Sequence, residues 1–135
     1  MAVFIKKVDP SQVQKEAKFQ QIASTYGFAP KVYNVTNDEI HMEDLQEMCL
    51  ADKYGDDPED IPSYIWTSIR NIISTLYYEA GIEYIDITPY NFIEKDDKVY
   101  IIDFGHAEFT ANRSRMNWFV EEFLDGTNEW NSDFR

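Results

Sequence analysis

Ala2, Phe4, Lys6 and Val8 fall on one face of an alternating stretch, and Lys7 on the other, so residues 2–8 are expected to form a strand. Asp9-Pro10-Ser11 then signals a helix start, with Asp9 as cap and Pro10 in the first turn. That helix is expected to run to about Tyr26, with Gly27 as its stop. Glu16, Phe19, Ala23 and Tyr26 recur at three- and four-residue spacing and form one stripe along it. Two short strands, 31–35 and 39–42, flank a turn at Thr36-Asn37-Asp38. Residues 43–61 are polar and acidic, above all at Asp56-Asp57-Pro58-Glu59-Asp60, and read as a connector with a single helical turn. Pro62 opens the clearest helix, in which Ile65, Ile69, Ile72, Leu76 and Ala80 share a face before Gly81 closes it. A loop over 84–90 leads into a hairpin whose strands, 91–93 and 99–102, enclose a charged turn at 94–98. A last amphipathic helix covers 114–124, with Met116, Phe119, Val120 and Phe123 on one face and Gly126 beyond it. Residues 127–135 are expected to be a loose tail.

Composition narrows the classes. A chain of 135 residues is normally one domain, 1–135, and its 44% apolar residues suffice for a packed core. No apolar run approaches the ~20 residues that span a bilayer, and Met1-Ala2-Val3-Phe4-Ile5-Lys6-Lys7 lacks the pattern of a signal peptide. Cys49 is the single cysteine, which excludes an internal disulfide or a multi-cysteine zinc site and fits a reducing, cytoplasmic setting. The net charge of -13 argues against direct nucleic-acid binding and against anionic membrane surfaces. Such an excess keeps a small protein soluble; a basic partner is the sharper reading.

The candidate chemistry gathers late in the chain. Tyr84-Ile85-Asp86-Ile87-Thr88-Pro89-Tyr90-Asn91 sets an Asp and an Asn five residues apart on a loop. The apolar strand through Ile101 and Ile102 then delivers Asp103 immediately before Phe104-Gly105. Upstream, Lys6 lies on an apolar strand face and needs an anion; Glu16, on the apolar stripe of the next helix, is the natural candidate. Lys7 is the alternative lysine. His41 alternates with Ile40 and Met42 and is expected to face outward. Neither His41 nor His106 has a carboxylate at a spacing that would orient it, so both read as surface or packing residues.

The loop and the Asp103-Phe104-Gly105 segment resemble the catalytic loop and magnesium-binding turn of the protein-kinase-like family. The resemblance covers about residues 2–110. Lys15-Glu16-Ala17-Lys18-Phe19 and the run Gly27-Phe28-Ala29-Pro30-Lys31-Val32 are most similar to small atypical kinases, such as the aminoglycoside phosphotransferases and the small kinase subunit of the KEOPS complex. It implies an α+β, reduced two-lobe kinase-like fold, with a small first lobe over 1–43 and a second over 44–135. It implies that Asp86 orients or deprotonates an acceptor hydroxyl, and that Asn91 and Asp103 hold magnesium against nucleotide phosphates. Lys6 would reach those phosphates with Glu16 as its ion-pair partner. Met42 would lie behind the adenine, the backbone of Glu43 and Leu45 would meet its edge, and Phe4 takes the place above it where the family usually has Ala.

The departures from the family pattern shape the expectation. No glycine-rich loop precedes Lys6, Ile85 stands where an Arg usually precedes the catalytic Asp, and Thr88 replaces a frequent lysine. After Gly105 no large helical substrate region follows. The expected activity is ATP- and magnesium-dependent transfer to a hydroxyl, of the Ser/Thr class, on a protein substrate or with an activating protein partner. The alternative is a pseudokinase that acts by docking or inhibition. The compact size leads to the expectation of a viral, mobile-element or effector origin.

Overall fold

The computed structural model describes residues 2–134, with the side chain of Phe134 left aside. Strand β1 (Val3–Lys7) leads through a turn into helix α1 (Val13–Thr25), and strands β2 (Val32–Val35) and β3 (Glu39–Glu43) follow. These strands form an antiparallel sheet in the order β1-β3-β2, with Phe4 opposite Met42 and Lys6 opposite Ile40. Strand alternation therefore sends Phe4 and Lys6 to one face. Lys7 points away to Asp38, 2.9 Å from its Oδ2, which rules it out as the cleft lysine.

The first helix starts later than its Asp-Pro signal suggests. The Asp9 side chain caps nothing in the helix; its Oδ1 accepts from the N–H and the hydroxyl of Ser11, at 2.9 and 2.7 Å, in a local turn. Glu16, Phe19 and Ala23 are buried as the stripe requires. Tyr26 is not part of it: the helix ends at Thr25, and the Tyr26 ring stacks on Phe28 with centroids 5.6 Å apart. Gly27 takes the left-handed φ of +79° that a helix stop demands.

The acidic connector is more structured than expected. It holds α2 (Leu50–Tyr54) and a 3-10 turn at Pro58–Asp60. Leu50 is fully buried and fixes α2 against the core. Helix α3 (Ser63–Tyr78) is the central element, and Ile65, Trp66, Ile69, Ile72, Ile73 and Leu76 line its buried side. Each such aliphatic side chain contributes ~1.5–3 kcal/mol when removed from water. Ala80 lies beyond the helix end.

Strands β4 (Ile82–Glu83), β5 (Phe92–Lys95), β6 (Lys98–Ile101) and β7 (Glu108–Phe109) form two ribbons, β5-β6 and β4-β7. The β5-β6 turn is Asp96-Asp97 alone, both at positive φ of 53° and 65°, the tight hairpin geometry. Glu94, assigned by the sequence pattern to the turn, is instead a buried strand residue. Its carboxylate accepts from Tyr54 (2.5 Å), Tyr64 (2.7 Å) and Lys53 (3.0 Å). Helix α4 (Trp118–Asp125) begins four residues later than expected, capped by the Asn117 side chain on Phe119 N–H at 2.8 Å.

Residues 127–134 are not a loose tail, and Arg135 lies outside the described residues. Trp130 is 5% exposed and packs on Trp66 with centroids 4.3 Å apart, and a 3-10 turn follows at Ser132–Phe134. Two apolar clusters result. Val13 and Ala17 of α1 join Ile40 and Met42 beneath the first sheet. Phe19 and Ala23, further along the same helix, join the large core around α3. Helix α1 thus packs into both and fixes the sheet over the rest. Among the described residues no helix is long and apolar enough to cross a membrane.

Candidate active site

A cleft of about 510 Å³ lies between the first sheet and the β5-β6 hairpin. Phe4, Met42, Ile93 and Ile102 give it apolar walls; Lys6, Asn91 and Asp103 bring polar groups to it. Phe4 is 51% exposed, a large ring with an open face over the cleft. Met42 is buried, and its sulfur accepts from Gln20 Nε2 at 3.3 Å, which anchors it to α1.

Lys6 joins three elements. Its ammonium bonds Glu16 Oε1 of α1 and lies 3.1 Å from Asp103 Oδ1. Burial alone pulls a lysine pKa down; here Glu16 and Asp103 outweigh it, and the pKa lies above the usual lysine value, so Lys6 stays charged. Asp103 is fixed from behind. Gly105 N–H donates to its Oδ1 at 2.8 Å, and the Tyr84 hydroxyl donates to its carbonyl at 2.6 Å. A Cβ on Gly105 would stand 3.2 Å from that carboxylate oxygen, so glycine leaves it room. Tyr84 is buried, and burial, followed by the fields of Asp86, Asp103 and Glu16, holds its phenol protonated and a donor.

The loop that carries Asp86 has no ladder of its own, so its backbone groups need other partners. Asn91 Nδ2 donates to the Asp86 carbonyl at 2.9 Å, and Asn91 N–H to the Thr88 carbonyl at 3.2 Å. Asn131 closes the other side: its side-chain amide donates to the Ile85 carbonyl and its backbone N–H to that of Ile87, each at 2.8 Å. Asp86 itself is 5% exposed. His106 meets it, Nδ1 to Oδ2, at 3.0 Å. The expectation that no carboxylate orients either histidine is thus corrected. Asp86 holds His106, and Glu39, two residues before His41 on β3, lies 2.9 Å from His41 Nε2.

Beyond β3 the chain turns through Asp44, Leu45 and Gln46. Glu43 N–H is spent on the Lys31 carbonyl at 2.9 Å, so only its carbonyl can address a base. The Leu45 carbonyl accepts from Lys95 Nζ at 2.8 Å. Gln46 sits at φ 58°, a left-handed position uncommon for its type, with its N–H on Asp44 Oδ1 at 2.8 Å.

The structure therefore brings Lys6, Glu16 and Asp103 into direct contact, sets Asp86 beside Asn91, and lines the same cleft with Phe4, Met42, Glu43 and Leu45. Sequence reasoning missed Tyr84, His106, Lys95 and Asn131. Tyr84 and Asn131 had a usable signal, since a buried irregular loop demands donors from outside it.

The chain is similar to known proteins in sequence and in fold. A protein of Archaeoglobus fulgidus described as a probable serine/threonine-protein kinase, BUD32 homolog, is 31% identical over 115 residues; the match covers 84% of this chain and 55% of that protein. Two solved structures share the fold. The Rio2 kinase of Chaetomium thermophilum, determined as an ADP/Mg2+-phosphoaspartate complex, aligns with a TM-score of 0.61 at 19% identity, over 85% of this chain and 35% of its own. Rv3197 of Mycobacterium tuberculosis, determined with erythromycin, aligns at 0.60 with 20% identity, over 73% of this chain and 27% of its own. The RIO domain model matches residues 4–122, a span holding Lys6, Glu16, Asp86, Asn91 and Asp103, and the chain belongs to the RIO-domain family of atypical protein-kinase-like folds.

Proposed function

We propose that the chain is an ATP- and magnesium-dependent phosphotransferase that moves the γ-phosphoryl group to a hydroxyl, of the Ser/Thr class. The observation that carries this reading is Lys6 held between Glu16 and Asp103 in a cleft that also receives Asn91, with Asp86 alongside. The kinship with RIO and BUD32-type proteins supports it.

The residues fit a nucleotide with its metal. Among the described residues no three His, Cys, Asp or Glu side chains converge as a metal site. Magnesium in nucleotide sites needs only one or two protein oxygens, because phosphates and water complete the shell. With Asn91 Nδ2 committed to the Asp86 carbonyl, the Asn91 Oδ1 is the atom left for a cation, and Asp103 offers the oxygen that Lys6 and Gly105 do not use. Magnesium held by Asn91 and Asp103 would supply positive charge against the negative charge that builds on the phosphates during transfer. Glu16 keeps Lys6 extended toward the phosphates. The Glu43 carbonyl and Leu45 N–H address the base edge between Met42 and Phe4, and stacking on such a ring is worth ~1–3 kcal/mol. Asp86 accepts the hydroxyl proton. A protein acceptor or activating partner, basic enough to meet a surface of net charge -13, and a cytoplasmic setting complete the proposal.

Thermal unfolding with millimolar ATP and magnesium tests it, together with transfer of labelled γ-phosphate. A saturating ligand at about 100 times its Kd stabilises by ~2.7 kcal/mol; Asp103→Ala is expected to lose that shift and the transfer. A wild-type chain with neither, alone or with partners, overturns the reading and leaves the docking pseudokinase.

A further inference from the structure

His106 touches the proposed base, and nothing in the reading above uses it. The Asp86 side chain is 6% exposed, whereas the imidazole is 57% exposed. An ionised carboxylate only accepts hydrogen bonds, and a neutral imidazole nitrogen either donates or accepts. At 3.0 Å two facing lone pairs would repel, so His106 Nδ1 carries the proton and donates to Asp86 Oδ2. One carboxylate oxygen is then committed and the other is left for an incoming hydroxyl.

The turn that presents the ring is anchored on both sides. Phe104 and Ala107 on either side are buried, Ala107 N–H donates to the Phe104 carbonyl at 3.2 Å, and Gly105 N–H is bound to Asp103. An exposed ring on such a crest can hold its position without burial. Lys6 and Glu16 pair with each other, Asp103 takes Lys6, and Glu108 takes Lys15 of α1 at 2.9 Å.

We propose that His106 is the positioning residue for Asp86: its Nδ1–H holds one carboxylate oxygen and thereby aims the other at the acceptor hydroxyl. The proposal rests on the phosphotransferase reading of the cleft. In the step it serves, the acceptor oxygen bonds to the γ-phosphorus as the bond to the bridging oxygen of ADP breaks. The hydroxyl proton goes to the free oxygen of Asp86, and His106 keeps its own proton throughout.

Two measurements test it. Nitrogen-15 spectra of the two histidines, recorded at alkaline pH, report their tautomers. His106 is expected as Nδ1–H. His41, whose Nε2 faces Glu39, is expected as Nε2–H and serves as internal contrast, with His41→Gln assigning the signals. An Nε2–H tautomer at His106 overturns the proposal whatever the activity. In steady-state kinetics, His106→Ala is expected to lower kcat about 10-fold while the KM for ATP stays within about twofold. His106→Asn, whose amide N–H replaces Nδ1–H, is expected to recover most of that loss. Since the ring is exposed, the melting temperature is expected to move by no more than about 2 °C. Wild-type protein without transfer removes the phosphotransferase reading and this role together. An active wild type with unchanged kcat in His106→Ala, or with no rescue by Asn, removes the role alone.

Discussion

Replacing Lys6 by methionine takes away the cation that Glu16 and Asp103 share. Its Nζ stands 3.1 Å from Asp103 Oδ1 and bonds Glu16 as well. At an effective dielectric of about 20, a contact of that length carries ~5 kcal/mol of gross attraction, most of it offset by desolvation. The two carboxylates left behind are unequal. The Asp103 side chain is 39% exposed and water can replace the lysine; the Glu16 side chain is 7% exposed and water cannot. Removing one partner of a buried pair costs ~3–5 kcal/mol, and the 23% exposure of Lys6 argues for the low end, ~3 kcal/mol. In a domain of this size that lowers the melting temperature by about 9–15 °C. Removing Glu16 too, as Lys6→Met with Glu16→Leu, leaves no buried orphaned charge, and the double variant is expected within about 1 kcal/mol of wild type. Urea unfolding followed by far-ultraviolet circular dichroism at neutral pH measures all three proteins. The double variant is expected to fold and yet to show no stabilisation by nucleotide, separating the structural role of the pair from its proposed function. A single variant within about 0.5 kcal/mol of wild type, or a double variant no better than the single, refutes the argument.

Glu108 gives a pH signature. Lys15 and Asn112 hold its carboxyl down to a pKa of about 2, so its contribution is present above the ordinary carboxylate range and is lost as pH falls through 2. Glu108→Gln is expected to cost no more than ~1 kcal/mol at pH 7, because solvent reaches the side chain, and the deficit should close from about pH 4.5 downward; a deficit unchanged at acid pH contradicts this. Trp130→Ala is expected to cost ~3–5 kcal/mol in urea unfolding, as for a core aromatic, and a loss under about 1 kcal/mol would mean that the end of the chain does not dock. Glu43, Asp44, Glu47 and Asp52 line the cleft, and its Lys6 is already paired with Glu16 and Asp103, so at fixed magnesium the affinity for ATP, read by titration, is expected to rise as salt screens the carboxylates; weaker binding at high salt counts against that field.

The parts of the fold legible in the sequence are those where periodicity and punctuation agree. Ile65, Ile69, Ile72 and Leu76 between Pro62 and Gly81 leave no other reading than a half-buried helix, and that is α3. Where only a cap signal was available, local chemistry intervened. Asp9 found a partner in Ser11 before it could serve the helix, which began at Val13. The two-residue ribbon of β4 and β7 had no period to detect, since Ile82 and Glu83 meet Phe109 and Glu108 only through the tertiary fold. Polarity misled at the other extreme: Glu94 looked like turn material because its partners, Tyr54, Tyr64 and Lys53, are at least thirty residues away.

The candidate site divides along the same line. Lys6 could be picked out because it interrupts an apolar strand face, and Asp86, Asn91 and Asp103 because their loop and the Asp-Phe-Gly turn resemble a known motif. His106 could not, because a loop and the crest of a turn meet there without any fixed spacing. The pairing of loop and chain end, however, follows from a requirement that spacing does not express. An irregular buried loop cannot satisfy its own carbonyls. In this one Asp86 and Thr88 are served by Asn91, whereas Ile85 and Ile87 lie beyond its reach and are served by Asn131. Trp130, packed on Trp66, fixes the position from which Asn131 donates. A Trp-Asn pair in an otherwise polar stretch is therefore better read as a strap than as a tail. The backbone geometry around Asp86 depends on that strap, so the shape of the 84–91 loop and the docking of residues 130–131 are one structural problem.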